Sequence, residues 1–177
     1  PQQQFGNYGL SFICNMSFYS ELFTGTTLAF SQEQQRILTS LLLEGYQWII
    51  WRGYWDVNAL NRQLFRNADI DKGFSLLFAA HSLMKSSEPE VADQIKKMIL
   101  RNSSFSQVPN SFTGNKHFRE SDYTVHRTPT WLASVRMASE RVIGTELVNE
   151  DNLKGYYMAD GALYTYVYGD EYHNIFP

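Results

Sequence analysis

The sequence predicts an α+β chain in which a helical first part leads into an antiparallel β-region. Two observations predict it. Up to residue 101 apolar side chains recur at helical spacing, and beyond residue 117 they recur at every second residue. Between these parts, residues 102–117 are rich in Ser, Asn, Pro and Gly and read as a linker. The expected boundaries are therefore 1–101, 102–117 and 118–177.

The first helix is expected over Gly9–Leu22, an apolar run with aromatics on both sides that reads as buried. Ser31-Gln32-Glu33-Gln34 resembles a capping box, in which the N-cap hydroxyl and the side chain three residues on each satisfy a free backbone N–H. Ile37, Leu38, Leu41, Leu42, Gly45, Trp48 and Ile49 then follow one helical face. A third helix is expected from near Asp71, with Phe74, Leu77, Phe78, Ala80 and Leu83 as its stripe. Ser87-Glu88-Pro89-Glu90 starts a fourth, because proline suits the first helical turn. Its apolar positions are Val91, Ile95, Met98 and Ile99. Tyr123–His126, Trp131–Met137 and Ala162–Tyr168 are β-branched or aromatic runs bounded by Gly, Pro and Asn, and read as strands. Tyr164, Tyr166 and Tyr168 fall on one face. So few strands leave edges that a whole β-domain would cover, so further strands are expected in the same polypeptide.

Composition bounds the function. The chain has 177 residues, 44% hydrophobic and 19% charged, with a formal net charge of −3. That balance argues against nucleic acid as partner, and no apolar run reaches membrane-spanning length. Pro1-Gln2-Gln3-Gln4 carries neither the basic start nor the apolar stretch of a signal peptide, and reads as a cut within a longer chain. Cys14 is the single cysteine, which excludes an internal disulfide, and its apolar neighbours suggest a buried thiol. The four histidines have no metal-ligand spacing, and neither a metal nor a cofactor is expected.

Several side chains are candidates for chemistry. Arg62 and Arg66 stand four residues apart, so in a helix they would share a face and hold an anion between paired N–H donors. The alternative is two surface arginines paired with Asp56, Asp69 or Asp71. Tyr8 precedes Gly9 at a helix start. Glu146 and Asn149 lie in a polar stretch between strands. Trp48 continues an apolar stripe, whereas Trp51 and Trp55 are better placed to stack on sugar rings.

Phe118-Arg119-Glu120-Ser121-Asp122-Tyr123-Thr124-Val125-His126-Arg127, followed by Ser134-Val135-Arg136-Met137-Ala138-Ser139, resembles the polysaccharide lyase family of chondroitin AC, hyaluronate and xanthan lyases. Asn149–Tyr157, Asp160-Gly161-Ala162 and Pro1–Gly9 keep the family's pattern in the right order, closest to the chondroitin AC type. The resemblance implies the C-terminal part of an incomplete α/α toroid followed by the start of an antiparallel β-sandwich domain. It implies cleavage of an acidic, uronate-containing glycosaminoglycan by β-elimination, in a secreted or periplasmic enzyme. By the same resemblance Tyr8, Arg62 and Glu146 are catalytic, while Arg66 and Asn149 bind substrate. The family's catalytic histidine would precede Pro1, so the 177-residue chain alone is expected to be inactive. The sequence departs from the family at Asn61, where many members have Gly, and at Leu147-Val148 and Glu150-Asp151, where the loop is usually richer in Gly.

The residue types suit the reaction. Removing the C5 proton of a uronate places negative charge beside a carboxylate, so donors that neutralise that carboxylate stabilise the transition state. A phenol ordinarily titrates at about 10, and a neighbouring guanidinium favours the phenolate. One tyrosine can then take the proton and return it to the leaving oxygen. The rival readings are a glycoside hydrolase, which needs two carboxylates flanking the bond, and a glycan-binding protein without turnover.

Overall fold

The computed structural model describes residues 3–103, 110–143, 146, 150 and 153–175. A helical layer made of α1 (Leu10–Phe23), α2 (Gln32–Ser40), α3 (Val57–Leu60), α4 (Ala68–Lys85) and α5 (Pro89–Asn102) sits against an antiparallel sheet. None of these helices is long and apolar enough to cross a membrane.

The capping box at α2 forms as expected. Gln34 N–H donates to Ser31 Oγ at 3.3 Å, and Ser31 N–H donates back to Gln34 Oε1 at 2.9 Å. The apolar stripe after it does not continue as one helix. It passes through a π-turn at Leu41–Gly45 and a 3-10 turn at Tyr46–Trp48 into a hairpin, β1 (Ile50–Trp51) and β2 (Tyr54–Trp55). The hairpin turns at Arg52 and Gly53, both at positive φ (50° and 89°), the combination a tight right-twisted turn requires. Trp51 and Trp55 are consequently core residues, 1% and 0% exposed, and are not available to stack on sugars.

Two further expectations are corrected. On α4 the buried face is Leu76, Ala79, Ala80 and Leu83, while Phe74 and Phe78 point outward at 60% and 73% exposure. The reason is close approach: a Cβ at Gly73 would lie 1.8 Å from the Gly53 carbonyl oxygen, so α4 can meet the hairpin only along its small residues. On α1, Leu10 and Ile13 are buried against α4, but Phe12, Phe18 and Leu22 are exposed, so that helix is one-sided rather than buried throughout. Cys14 is half-buried, with its thiol directed at the Ser75 carbonyl, and burial raises its pKa.

The sheet is a meander, β3 (Gly114–Phe118), β4 (Tyr123–Arg127), β5 (Leu132–Arg136) and β6 (Ala162–Tyr166), each strand antiparallel to the next. The strand β3 thus starts inside the segment read as linker, pairing Gly114 with Arg127. Alternation holds on the central strands: Tyr123, Val125 and Arg127 of β4 and Leu132, Ser134 and Arg136 of β5 face the helices and are buried. Of the three tyrosines on β6 and its extension, Tyr166 is buried, Tyr164 half-buried, and Tyr168 exposed at 72%.

Helices and sheet meet through a buried polar seam. Asp56 caps α3 and accepts the Tyr123 hydroxyl at 2.5 Å and the Tyr166 hydroxyl at 2.7 Å. Asn58 donates to Ser134 Oγ at 3.0 Å and to the Ala162 carbonyl at 3.0 Å. Arg127 donates to the carbonyls of Gln47, Trp48 and Ile50 at 3.0, 3.0 and 2.9 Å. Buried polar groups must be paired, so these bonds fix how the sheet sits on the helices rather than merely gluing it there.

Burial outweighs the hydrogen bonds at Asp56 and raises its pKa above the usual carboxylate value. The native state therefore keeps this proton over a pH range in which the unfolded chain has already lost it. Its contribution to stability is full below about pH 4, the ordinary carboxylate value, and is lost as pH rises through the elevated native value. Asp56→Asn is expected to remove that decline with rising pH, as read by melting temperature against pH. A variant that keeps the wild-type slope would show that the decline comes from another group.

Candidate active site

Tyr8 lies in a π-turn, Phe5–Gly9, that leads into α1 and is kinked at Asn7 (φ −129°, ψ −107°). The N–H groups of Asn7 and Gly9 both donate to the Gln4 carbonyl, at 3.3 and 3.0 Å. A Cβ at Gly9 would come within 2.7 Å of both that carbonyl oxygen and the Tyr46 hydroxyl, so only glycine lets the turn close. The turn presents Tyr8 outward, 65% exposed. Its hydroxyl makes no hydrogen bond among the described residues.

Arg62 follows the single turn of α3. Asn61 ends that turn at φ 62°, ψ −135°, a conformation that favours glycine. That accounts physically for the glycine found here in the resembling family. The chain cannot stay helical through such a residue, so the expectation that Arg62 and Arg66 share a helix face is corrected. Arg62 is turned inward, 5% exposed, whereas Arg66 stands exposed in the turn before α4. Nor does Arg62 pair with any of the three aspartates considered. Its Nη1 lies 3.4 Å from Glu146 Oε1, a contact of opposite charges between a buried guanidinium and a carboxylate 31% exposed. Neither atom makes a hydrogen bond among the described residues. Arg62 and Glu146, 84 residues apart in sequence, are thus brought together, while Asn149 lies outside the described residues.

The loops carrying Tyr8 and Arg62 are knitted to each other. Gln63 donates to Asn7 Oδ1 at 3.2 Å. Asn61 donates to the Gln3 carbonyl, and its own Oδ1 accepts from Arg136 Nη1 at 3.0 Å. Lys72, from α4, donates to the Gly6 carbonyl and to Gln63 Oε1, both at 2.5 Å. A Cβ at Gly6 would lie 2.8 Å from the Ala59 carbonyl oxygen, so the two backbones are in contact. Arg136 is wholly buried, and burial lowers its pKa to about 10, leaving it charged at neutral pH.

Asn7, Asn61, Gln63, Lys72 and Arg136 were not among the residues expected to build the site. For Lys72 a signal existed. It lies four residues before Leu76 and eight before Ala80, on the buried stripe of α4, where a lysine is out of place unless it is used.

A phenol, a buried guanidinium and a half-buried carboxylate therefore stand where helices meet an antiparallel sheet. The fold belongs to the class of helical-plus-sandwich polysaccharide lyases. Its solved likenesses include the structure describing the active site of chondroitinase AC lyase in oligosaccharide complexes (TM-score 0.78, 25% identity, 95% of this chain and 25% of that one). A Paenibacillus xanthan lyase has the same fold (TM-score 0.86, 16% identity, 96% of this chain and 19% of that one). Residues 113–177 match polysaccharide lyase family 8, super-sandwich domain. Over 180 residues the chain is 31% identical to a chondroitinase-AC of Pedobacter heparinus, covering 100% of this chain and 25% of that protein. Over 200 residues it is 24% identical to a hyaluronate lyase of Thermasporomyces composti, covering 96% and 25%. The chain belongs to the polysaccharide lyase family of chondroitin AC, hyaluronate and xanthan lyases, and spans about a quarter of the length of the relatives it matches.

Proposed function

We propose that the protein containing this chain cleaves a glycosaminoglycan of the chondroitin or hyaluronan type by β-elimination, leaving an unsaturated uronate. The observation that carries the reading is the buried Arg62 guanidinium, paired with Glu146 and held on a loop hydrogen-bonded to the one that presents Tyr8. In this reading Tyr8 takes the C5 proton and returns it to the departing glycosidic oxygen. Arg62 supplies positive charge that stabilises the enolate-like transition state, and Glu146 fixes the guanidinium. Arg66, exposed nearby in the chain, and Asn149 bind the acidic substrate. Such a polymer lies outside the cell, so the enzyme is secreted or periplasmic.

A glycoside hydrolase is disfavoured by the placement of the carboxylates. Of the carboxylates considered, Asp56 is 2% exposed beneath the sheet and Asp69 is 7% exposed beside His173, so neither is available to flank a scissile bond with Glu146; Asp71 is exposed on α4 and makes no contact with Glu146 among the described residues. The test is ultraviolet absorbance of the product from the full-length enzyme, because only elimination leaves a conjugated double bond. In the same assay, Arg62→Ala is expected to lose kcat by at least tenfold. Arg66→Ala is expected to raise KM with kcat nearly retained, since a hydrogen bond to a charged group is worth about 1.5–3 kcal/mol. Wild-type kcat and KM in both variants would reject these roles, and a saturated product would reject the lyase reading.

A further inference from the structure

Lys72 is an unusual residue to find in a core. It is 9% exposed, and its ammonium is paired with no carboxylate in the described residues. Burial holds its pKa below the ordinary lysine value, against the opposing charge of Asp71. A buried ammonium without a counter-ion is costly, so its retention calls for a use.

Its contacts identify the use. The Nζ donates to the carbonyl of Gly6, two residues before Tyr8, and to Oε1 of Gln63, the residue after Arg62. Gln63 passes the link on through its own N–H to Asn7, the residue beside Tyr8. The ring of Phe65 lies 5.5 Å from the ammonium, a cation–π contact that shields one side of it. The placement of Lys72 is itself set by the fold. Gly73, the residue after Lys72, lets α4 close on the Gly53 carbonyl.

Resting on the lyase reading above, we infer that Lys72 is a positioning residue, a buried cationic cross-link that sets the loop presenting Tyr8 against the loop carrying Arg62. It touches neither substrate nor reacting atom. It acts through two acceptors, the Gly6 carbonyl and the Gln63 side chain, one on each loop. Proton transfer from carbon depends steeply on alignment, and a misplacement of about 1 Å can cost about 10²-fold in rate. A structural cation would be worth the same to both loops whether or not they were aligned, so the two roles separate in kinetics.

The experiment uses the full-length enzyme with Lys72→Met, which keeps the stem and removes the donors, and Lys72→Arg, which restores charge and donors. Turnover of chondroitin or hyaluronan is followed by product absorbance, together with hydrogen exchange over residues 4–10 and 60–67. Lys72→Met is expected to lose at least about tenfold in kcat with KM changed by less than about threefold, the pattern of misalignment rather than lost binding. Exchange should quicken in both loops, and Lys72→Arg should recover most of the kcat. Unchanged kcat, a change in KM alone, or a fall in melting temperature without faster exchange in both loops would each overturn the assignment. If Lys72→Met fails to fold, Lys72→Gln, which keeps an uncharged N–H donor, is judged by the same measurements. If the wild-type enzyme yields no unsaturated product, the lyase reading fails. The cross-link is then judged by loop exchange alone.

Discussion

Tyr8→Phe in the full-length enzyme is expected to abolish most turnover while leaving substrate affinity and melting temperature nearly unchanged. The substitution removes one oxygen. That oxygen makes no hydrogen bond among the described residues, and the ring is 65% exposed, so neither packing nor a buried polar partner is lost. Stability should therefore stay within about 0.5 kcal/mol, as for surface changes away from structural features. Turnover should fall by about 10²–10⁴-fold, the usual worth of general acid–base catalysis, and further if both proton transfers pass through the same atom. Binding is measured separately by titrating substrate into the inactive variant, so that a loss of kcat is not confused with a loss of affinity. Retention of more than about a tenth of wild-type turnover would fall outside that range. It would move the proton-transfer role to another group.

The parts of this molecule that could be read from the sequence are those set by neighbours in the chain. The capping box needs only Ser31 and Gln34, and the alternation of β4 and β5 needs only the strand itself. Misreadings arose where a distant contact overrode local pattern. Bulk picked Phe74 and Phe78 as the inner face of α4, but the Gly53 carbonyl demands a small residue there, which turns the aromatics outward. The spacing of Arg62 and Arg66 suggested one helical face, but Asn61 at positive φ breaks the helix and sends the two guanidiniums to different environments. The hairpin at residues 50–55 left a signal that the continuous stripe masked, a glycine with Trp51 before it and Tyr54-Trp55 after it.

The roles given to the candidate site residues were drawn only from the resemblance to the family's motifs. Nothing local to Asp56 announces that it will meet Tyr123 and Tyr166, 67 and 110 positions further on. The same holds for Arg62 and Glu146. What composition could not supply was the support behind the site, the buried cations Lys72 and Arg136 that hold the Tyr8 and Arg62 loops from helix and sheet respectively. Lys72 was not marked in advance, because the stripe read from bulk ran through Phe74 and Phe78, and only the buried face of Leu76, Ala80 and Leu83 puts the lysine on the inner side.

The largest effect on stability is expected at Arg127. Its guanidinium is 2% exposed and lies over Trp51 and Phe112, at 5.1 and 5.2 Å from the ring centroids. Burial, and secondarily the charge of Arg101, lowers its pKa to about 9, so the group is charged at neutral pH and costly to bury. Three carbonyls, of Gln47, Trp48 and Ile50, compensate that cost through Nη1. These carbonyls lie where the 3-10 turn gives way to the hairpin, so no regular ladder satisfies them. Arg127→Met retains the stem and most of the ring contact but leaves the carbonyls buried without a donor. Each lost partner costs about 1–3 kcal/mol, and breaking a buried charged arrangement typically costs about 3–5 kcal/mol in all. The loss should be local before it is global. Amides over residues 46–56 should exchange faster in Arg127→Met, and the sheet should loosen from the helices there. Arg127→Lys, which offers three donors without the planar fork, should fall between the two. A methionine variant whose denaturation midpoint and local exchange match the wild type would show that the carbonyls find other donors, and would leave the seam to Asp56 and Asn58.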